Sequence, residues 1–176
     1  MGYLKGKLFN GMLYVEPEMF RVISFADTDC GNCTETRRSV GCTIITIGGC
    51  LADWSMVKYL TLSDTSCEAE YKELVKCAKG VKFVQMLLGE LKLSELPGIL
   101  FEDNAGSSCL AQNKQVSNRT KRIDHKHHYI REFTENRDGI QQGKIFKIES
   151  DFNKADIGTK NVEVKLFKRH EEEKRK

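Results

Sequence analysis

Proline is almost absent: Pro17 and Pro97 are the only two in 176 residues, so few positions force an element to stop. No apolar run approaches the roughly 20 residues of a membrane span, and the opening MGYLKGKLFNG lacks the long apolar centre of a signal peptide. The expectation is an intracellular protein, cytoplasmic or nuclear, neither secreted nor membrane-bound. An odd count of seven cysteines without secretory context argues against a disulfide framework and for reduced, mostly buried thiols. Acidic residues are nearly missing from one stretch. Between Lys114 and Arg131, the cations Lys114, Arg119, Lys121, Arg122, Lys126 and Arg131 face a single acid, Asp124. A local basic surface is therefore more informative than the net charge of +3. No internal repeat is visible.

With 40% hydrophobic residues, the length suits one sizeable core. The expected division is an N-terminal arm over 1–20, where glycines and Pro17 leave no sustained period, a domain over 21–168, and a charged tail over 169–176 without apolar content.

The longest regular stretch runs from Ser63 to Leu93. Its apolar residues recur every three or four positions for about eight turns, the period of a helix with one buried face. Leu74, Cys77, Val81, Val84, Leu88 and Leu91 share that face, with Lys72, Lys76, Lys79 and Glu90 opposite. Glu70 breaks the segregation by projecting into the apolar stripe, whereas Glu68 projects to solvent. A carboxylate facing a core has to be protonated, paired with a cation, or set beside other carboxylates at a metal ion. Thr65 and Glu68 have the spacing of a capping box, which gives Glu68 a separate role.

RVISFAD alternates as a first strand with Ile23, Phe25 and Asp27 on one face. GCTIITIGGCLADWS reads as two strands turning at Gly48-Gly49. Pro97-Gly98 ends the helical region, ILFED reads as a strand stopping at Asp103, and Asn104 is placed to cap a helix to Asn113. A second helix is expected over Asp124 to Asn136, with Ile123, His127, Ile130 and Phe133 inward. KIFKIES alternates as the last strand, and Asn153 is placed to cap a short helix holding Asp156 in its first turn. This order of strands and helices predicts an α/β domain, a mixed sheet with helices packed on it.

Asp27, Glu70, Asp103 and Asp156 all fall where an element meets a loop, which is where α/β sheets form sites. Four carboxylates converging there would repel each other without a counter-ion. Two Mg²⁺ ions about 4 Å apart would offset that charge and support phosphodiester cleavage.

In order, SFADTD, SCEAEY, FEDN, RTKRIDHKHHYIRE and NKADIGTK resemble the ribonuclease H domain of copia-type retrotransposon Pol polyproteins, over roughly residues 2 to 170. The resemblance implies a ribonuclease H-like fold with a five-stranded mixed sheet. It also implies cleavage of the RNA strand of RNA/DNA hybrids with two Mg²⁺ or Mn²⁺ ions, and a reverse transcriptase domain as partner. Motif by motif, it puts Asp27, Glu70, Asp103 and Asp156 in the catalytic, metal-binding positions. The basic run supplies candidate nucleic-acid contacts at Arg119, Lys121, Arg122, Lys126, His128 and Arg131.

The chain departs from the family pattern at Cys67, in AGSSCLAQN after Asn104, and at Cys30 and Cys33. These departures, with Met1 standing just before the domain, support an alternative: a decayed or detached module that binds nucleic acid or protein without cleaving. Cys30 and Cys33, followed by Cys42 and Cys50, also have half of a zinc-site spacing. Trp54, taken as the end of the third strand, reads as a core or edge packing residue.

Overall fold

The computed structural model describes residues 12, 14–29, 38–59, 66–94, 96–103, 124–137, 140–160 and 162. Strands β1 (Val22–Asp29), β2 (Val40–Ile47) and β3 (Cys50–Lys58) lead into helix α1 (Ser66–Glu90). Strand β4 (Gly98–Glu102) and helix α2 (Asp124–Thr134) follow, then the two-residue strands β5 (Asn136–Arg137) and β6 (Ile140–Gln141). Strand β7 (Gly143–Lys147), a 3₁₀ turn (Ser150–Phe152) and helix α3 (Asp156–Thr159) complete the described chain. The main sheet has five strands in the order β3-β2-β1-β4-β7. β1 to β3 are antiparallel neighbours, while β4 runs parallel to both β1 and β7. It is therefore the mixed α/β sheet expected.

β2 and β3 turn through Gly48 and Gly49, whose φ angles of 55° and 86° carry no penalty for residues without a Cβ. β1 is buried on both sides. Val22 and Ala26 join Leu74, Cys77, Ala78, Val81, Val84 and Leu88 of α1 in the main core, which Ile130 and Phe133 of α2 extend. Phe25 points to the opposite face, where it packs with Cys42 and Ala155. On that face α3 lies close against β2, because a Cβ on Gly158 would collide with the Cys42 side chain.

The long helix is shorter than its apolar pattern. It ends at Glu90, and Lys92, at φ 57°, turns the chain out. The Leu93 and Lys92 amides donate to the Leu88 and Gly89 carbonyls at 2.9 Å each, the two bonds of a Schellman stop. Leu91, placed on the buried stripe by its period, follows the last helical residue, inside that stop, and is 66% exposed. Glu68 forms an ion pair with Lys72 at 2.7 Å, a helix-surface contact four residues apart. Its proposed cap partner Thr65 lies outside the described residues.

Two further expectations change. Trp54 sits within β3, the edge strand of the sheet, rather than at its end, and is 63% exposed rather than packed. The hairpin of β5 and β6 has no counterpart among the expected elements, two residues per strand being too short for any alternation to show. Asn136, expected to end the second helix, opens β5 instead. The expected helix from Asn104 to Asn113 lies outside the described residues, as do Cys30 and Cys33. Among the described residues, Cys42 is buried in β2, and Cys50 opens β3 half-buried with its Sγ 3.5 Å from the Val15 carbonyl oxygen. No described helix is long and apolar enough to cross a membrane.

Candidate metal centre

Parallel pairing of β1 with β4 aligns Phe25 with Phe101 and Ala26 with Glu102. Asp27 and Asp103 are the next residues along these two chains, which brings their carboxylates side by side. β1 continues two residues further than expected, so Asp27 lies inside the strand, opposite Cys42 of β2, rather than at its end. Asp156 comes from the sheet's second face at the start of α3. One oxygen each of Asp27, Asp103 and Asp156 lies within 4.8 Å of the others. Asp27 and Asp156 are buried, at 1% and 4% exposure.

Hydrogen bonds hold this arrangement from several directions. Thr159 Oγ1 donates to Asp27 Oδ2 in a short bond. Ser150 Oγ donates to Asp103 Oδ2 at 2.7 Å. Asn153 does not cap α3 as expected; Ala155 holds that position without a side-chain bond. The fully buried Asn153 instead ties the site to the sheet. Its Nδ2 donates to the Ala26 carbonyl at 2.9 Å and lies 3.4 Å from Asp103 Oδ1, and its Oδ1 accepts from the Ala155 amide at 3.2 Å. A two-residue Asx bond of this kind competes with capping.

Glu70 comes from α1, across the sheet from α3, and is not within 4.8 Å of all three aspartates. It is nonetheless part of the same electrostatic site. Burial, followed by the charges of Asp27 and Asp103, pushes its carboxyl up to about 8 against the opposing effects of Lys160 and the Thr28 amide. Its Oε2 is buried with no hydrogen-bond partner among the described residues. Asp156 is likewise raised, to about 6, by burial first and then by Asp27, with Lys160 opposing. These are the signs of carboxylates crowded where water is scarce.

Reasoning from sequence missed two charged groups here. Lys160 Nζ lies 3.0 Å from Asp156 Oδ1, 3.2 Å from Asp27 Oδ1 and 3.9 Å from Asp103 Oδ2. The signal was present, because Lys160 follows Asp156 by four residues within one motif, the spacing of a helical ion pair. Burial would lower its pKa, but hydrogen bonding to Asp156 and the charge of Asp27 outweigh that and raise it.

The second is Glu73, one turn after Glu70 and completely buried. It accepts a short hydrogen bond from Tyr59 and bonds from Thr43 Oγ1 at 2.6 Å and Lys76 Nζ at 3.0 Å. The helical period held a signal here too, since at about 100° per residue Glu73 falls about 20° from Val84, on the edge of the apolar stripe. Besides Lys76 of the same helix, its partners come from β2 and from the residue after β3.

Of the basic residues, Arg119, Lys121 and Arg122 lie outside the described residues, and Lys126 and His128 are described only as part of α2. Arg131 occupies the last turn of α2, near enough to Tyr71 to oppose the burial that raises that phenol. α2 is also joined to α1 by Lys79, whose Nζ lies 5.5 Å from the centre of the Tyr129 ring.

No protein-family model matches the chain. It is 29% identical over 145 residues to the retrovirus-related Pol polyprotein from transposon TNT 1-94 of Nicotiana tabacum, covering 81% of this chain and 10% of that protein. The Pol polyprotein from transposon RE2 of Arabidopsis thaliana is 26% identical over 130 residues, 73% of this chain and 9% of the relative. The chain thus spans about a tenth of the length of these curated relatives. In fold it is similar to LC11-RNase H1, solved in complex with an RNA/DNA hybrid, with a TM-score of 0.56 at 17% identity over 79% of this chain and 94% of that one.

Proposed function

For a ribonuclease H-type domain related to plant retrotransposon Pol polyproteins, we propose metal-dependent hydrolysis of the RNA strand of an RNA/DNA hybrid. The observation that carries this reading is the convergence of Asp27, Asp103 and Asp156 within 4.8 Å beside a buried Glu70 oxygen that lacks a hydrogen-bond partner among the described residues. The donor set is all carboxylate oxygen, which suits hard cations such as Mg²⁺ and Mn²⁺. Asp27, Glu70, Asp103 and Asp156 would hold them. Two such ions, when bound, supply an activated water and stabilisation of the leaving oxygen.

The chain's own residues perform the positioning. Asn153 fixes Asp103 relative to the backbone of β1, and Thr159 orients one oxygen of Asp27. The crowding that raises Glu70 and Asp156 gives a bound cation more charge to neutralise than any one carboxylate would. Arg119, Lys121, Arg122, Lys126, His128 and Arg131 are proposed to hold hybrid phosphates, with the 2′-hydroxyl distinguishing RNA from DNA. Kinship to Pol polyproteins supports a reverse transcriptase as the partner that generates the hybrid.

A second reading, a domain that binds without cleaving, draws on the ammonium of Lys160 already set among the carboxylates. Cleavage of a labelled hybrid with and without Mg²⁺ decides between the two. Asp27→Asn is expected to lower cleavage by at least about a hundredfold while leaving the metal-free fold intact, because one repelling charge is gone. Unchanged cleavage would remove Asp27 from the mechanism. Activity no greater than that of a variant lacking all four carboxylates would favour the non-cleaving reading.

A further inference from the structure

Lys160 stands at the C-terminal end of α3 with its side chain 38% exposed. All three carboxylates of the 4.8 Å cluster have an oxygen within 4.0 Å of its Nζ. Its four-carbon stem can withdraw the charge toward solvent without moving the backbone. Thr159, the preceding residue, bonds the other oxygen of Asp27, so Asp27 keeps a partner when the ammonium leaves. The buried Glu70 oxygen has no hydrogen-bond donor among the described residues, and so Lys160 does not satisfy the whole set.

We propose that Lys160 is a resident counter-cation of the Asp27, Asp103 and Asp156 cluster and competes with divalent ions for it, so that withdrawal of its ammonium accompanies metal loading. This rests on the reading of those carboxylates as metal ligands. Carboxylates this close repel strongly where water is scarce, and a single ammonium with three N–H donors offsets part of that repulsion. An incoming divalent cation must displace the ammonium or bind against its charge. Lys160 thereby stabilises the metal-free fold and raises the ion concentration needed to fill the site.

The test compares the full chain with Lys160→Met, Lys160→Arg and Asp27→Asn by isothermal titration with Mn²⁺ at pH 8, alongside thermal melting in EDTA. Lys160→Met is expected to bind Mn²⁺ at least about tenfold more tightly, since a like charge has left the site, and to melt at a lower temperature in EDTA. Lys160→Arg keeps the charge and is expected to stay within about threefold of the parent affinity. Should the methionine variant not fold, Lys160→Gln carries the same prediction of tighter binding. Unchanged or weaker Mn²⁺ binding in the folded neutral variant would overturn the competition. If Asp27→Asn loses Mn²⁺ and the neutral variant matches the parent, only the inference about Lys160 fails. If the parent binds no Mn²⁺, or Asp27→Asn binds it equally well, the metal-site reading and this inference fall together.

Discussion

Replacing Glu70 by glutamine should stabilise the metal-free protein, although a buried polar residue is altered. The Glu70 carboxyl is pushed from its ordinary 4.5 to about 8 by burial and by repulsion from Asp27 and Asp103. A carboxyl whose folded pKa is raised takes up a proton on folding, so stability falls as pH rises from about 4.5 to about 8. At about 1.4 kcal/mol per unit, this corresponds to a penalty on the order of 4–5 kcal/mol near pH 8, shared with the neighbouring carboxylates. Glutamine has nearly the same shape and no charge, and its carbonyl can still accept the Thr28 amide that bonds Glu70. We expect Glu70→Gln to be more stable than the parent by about 1–3 kcal/mol in EDTA at pH 8, and about equal near pH 4.5. Urea unfolding at several pH values measures this directly. Adding Mn²⁺ should reverse the order, because the parent gains a ligand-bound state that the variant has weakened. A glutamine variant less stable than the parent at pH 8 in EDTA, or one with the parent's full pH slope, would refute the electrostatic reasoning.

Asn153→Ala removes a fully buried side chain that bonds the Ala26 carbonyl, the Ala155 amide and Asp103; a loss of about 2–3 kcal/mol is expected in urea unfolding. Hybrid cleavage should fall as well if α3 no longer holds Asp156 in place. Tyr59→Phe leaves the buried Glu73 without one of its donors and should cost about 1–3 kcal/mol in the same assay, with Mn²⁺ affinity little changed.

Much of the scaffold was legible because it follows local periods. The alternation of RVISFAD, the glycine pair between β2 and β3, and the three-to-four spacing from Leu74 to Leu88 each have a direct reading in burial and register. Element ends were less legible. Leu91 continues the apolar period into the turn that Lys92 makes, and periodicity cannot register a stop made by backbone bonds. Glu70 could be singled out because a charge interrupts an apolar stripe. Glu73 interrupts the edge of the same stripe, but the partners that satisfy it, Thr43 and Tyr59, are distant in sequence and no local period names them.

The sequence by itself determined the α/β class, the five core strands, the inward projection of Glu70, and the kinship carried by five short motifs. These depend on side-chain pattern within a few residues, which backbone geometry converts directly into faces. Only the tertiary structure decided that Asp27, Asp103 and Asp156 meet while Glu70 stands beside them on the other side of the sheet, and that Lys160 enters the cluster. The parallel register of β1 and β4 and the packing of α3 on β2 set these distances. Both join segments far apart along the chain, where no local period can report a separation of a few ångströms.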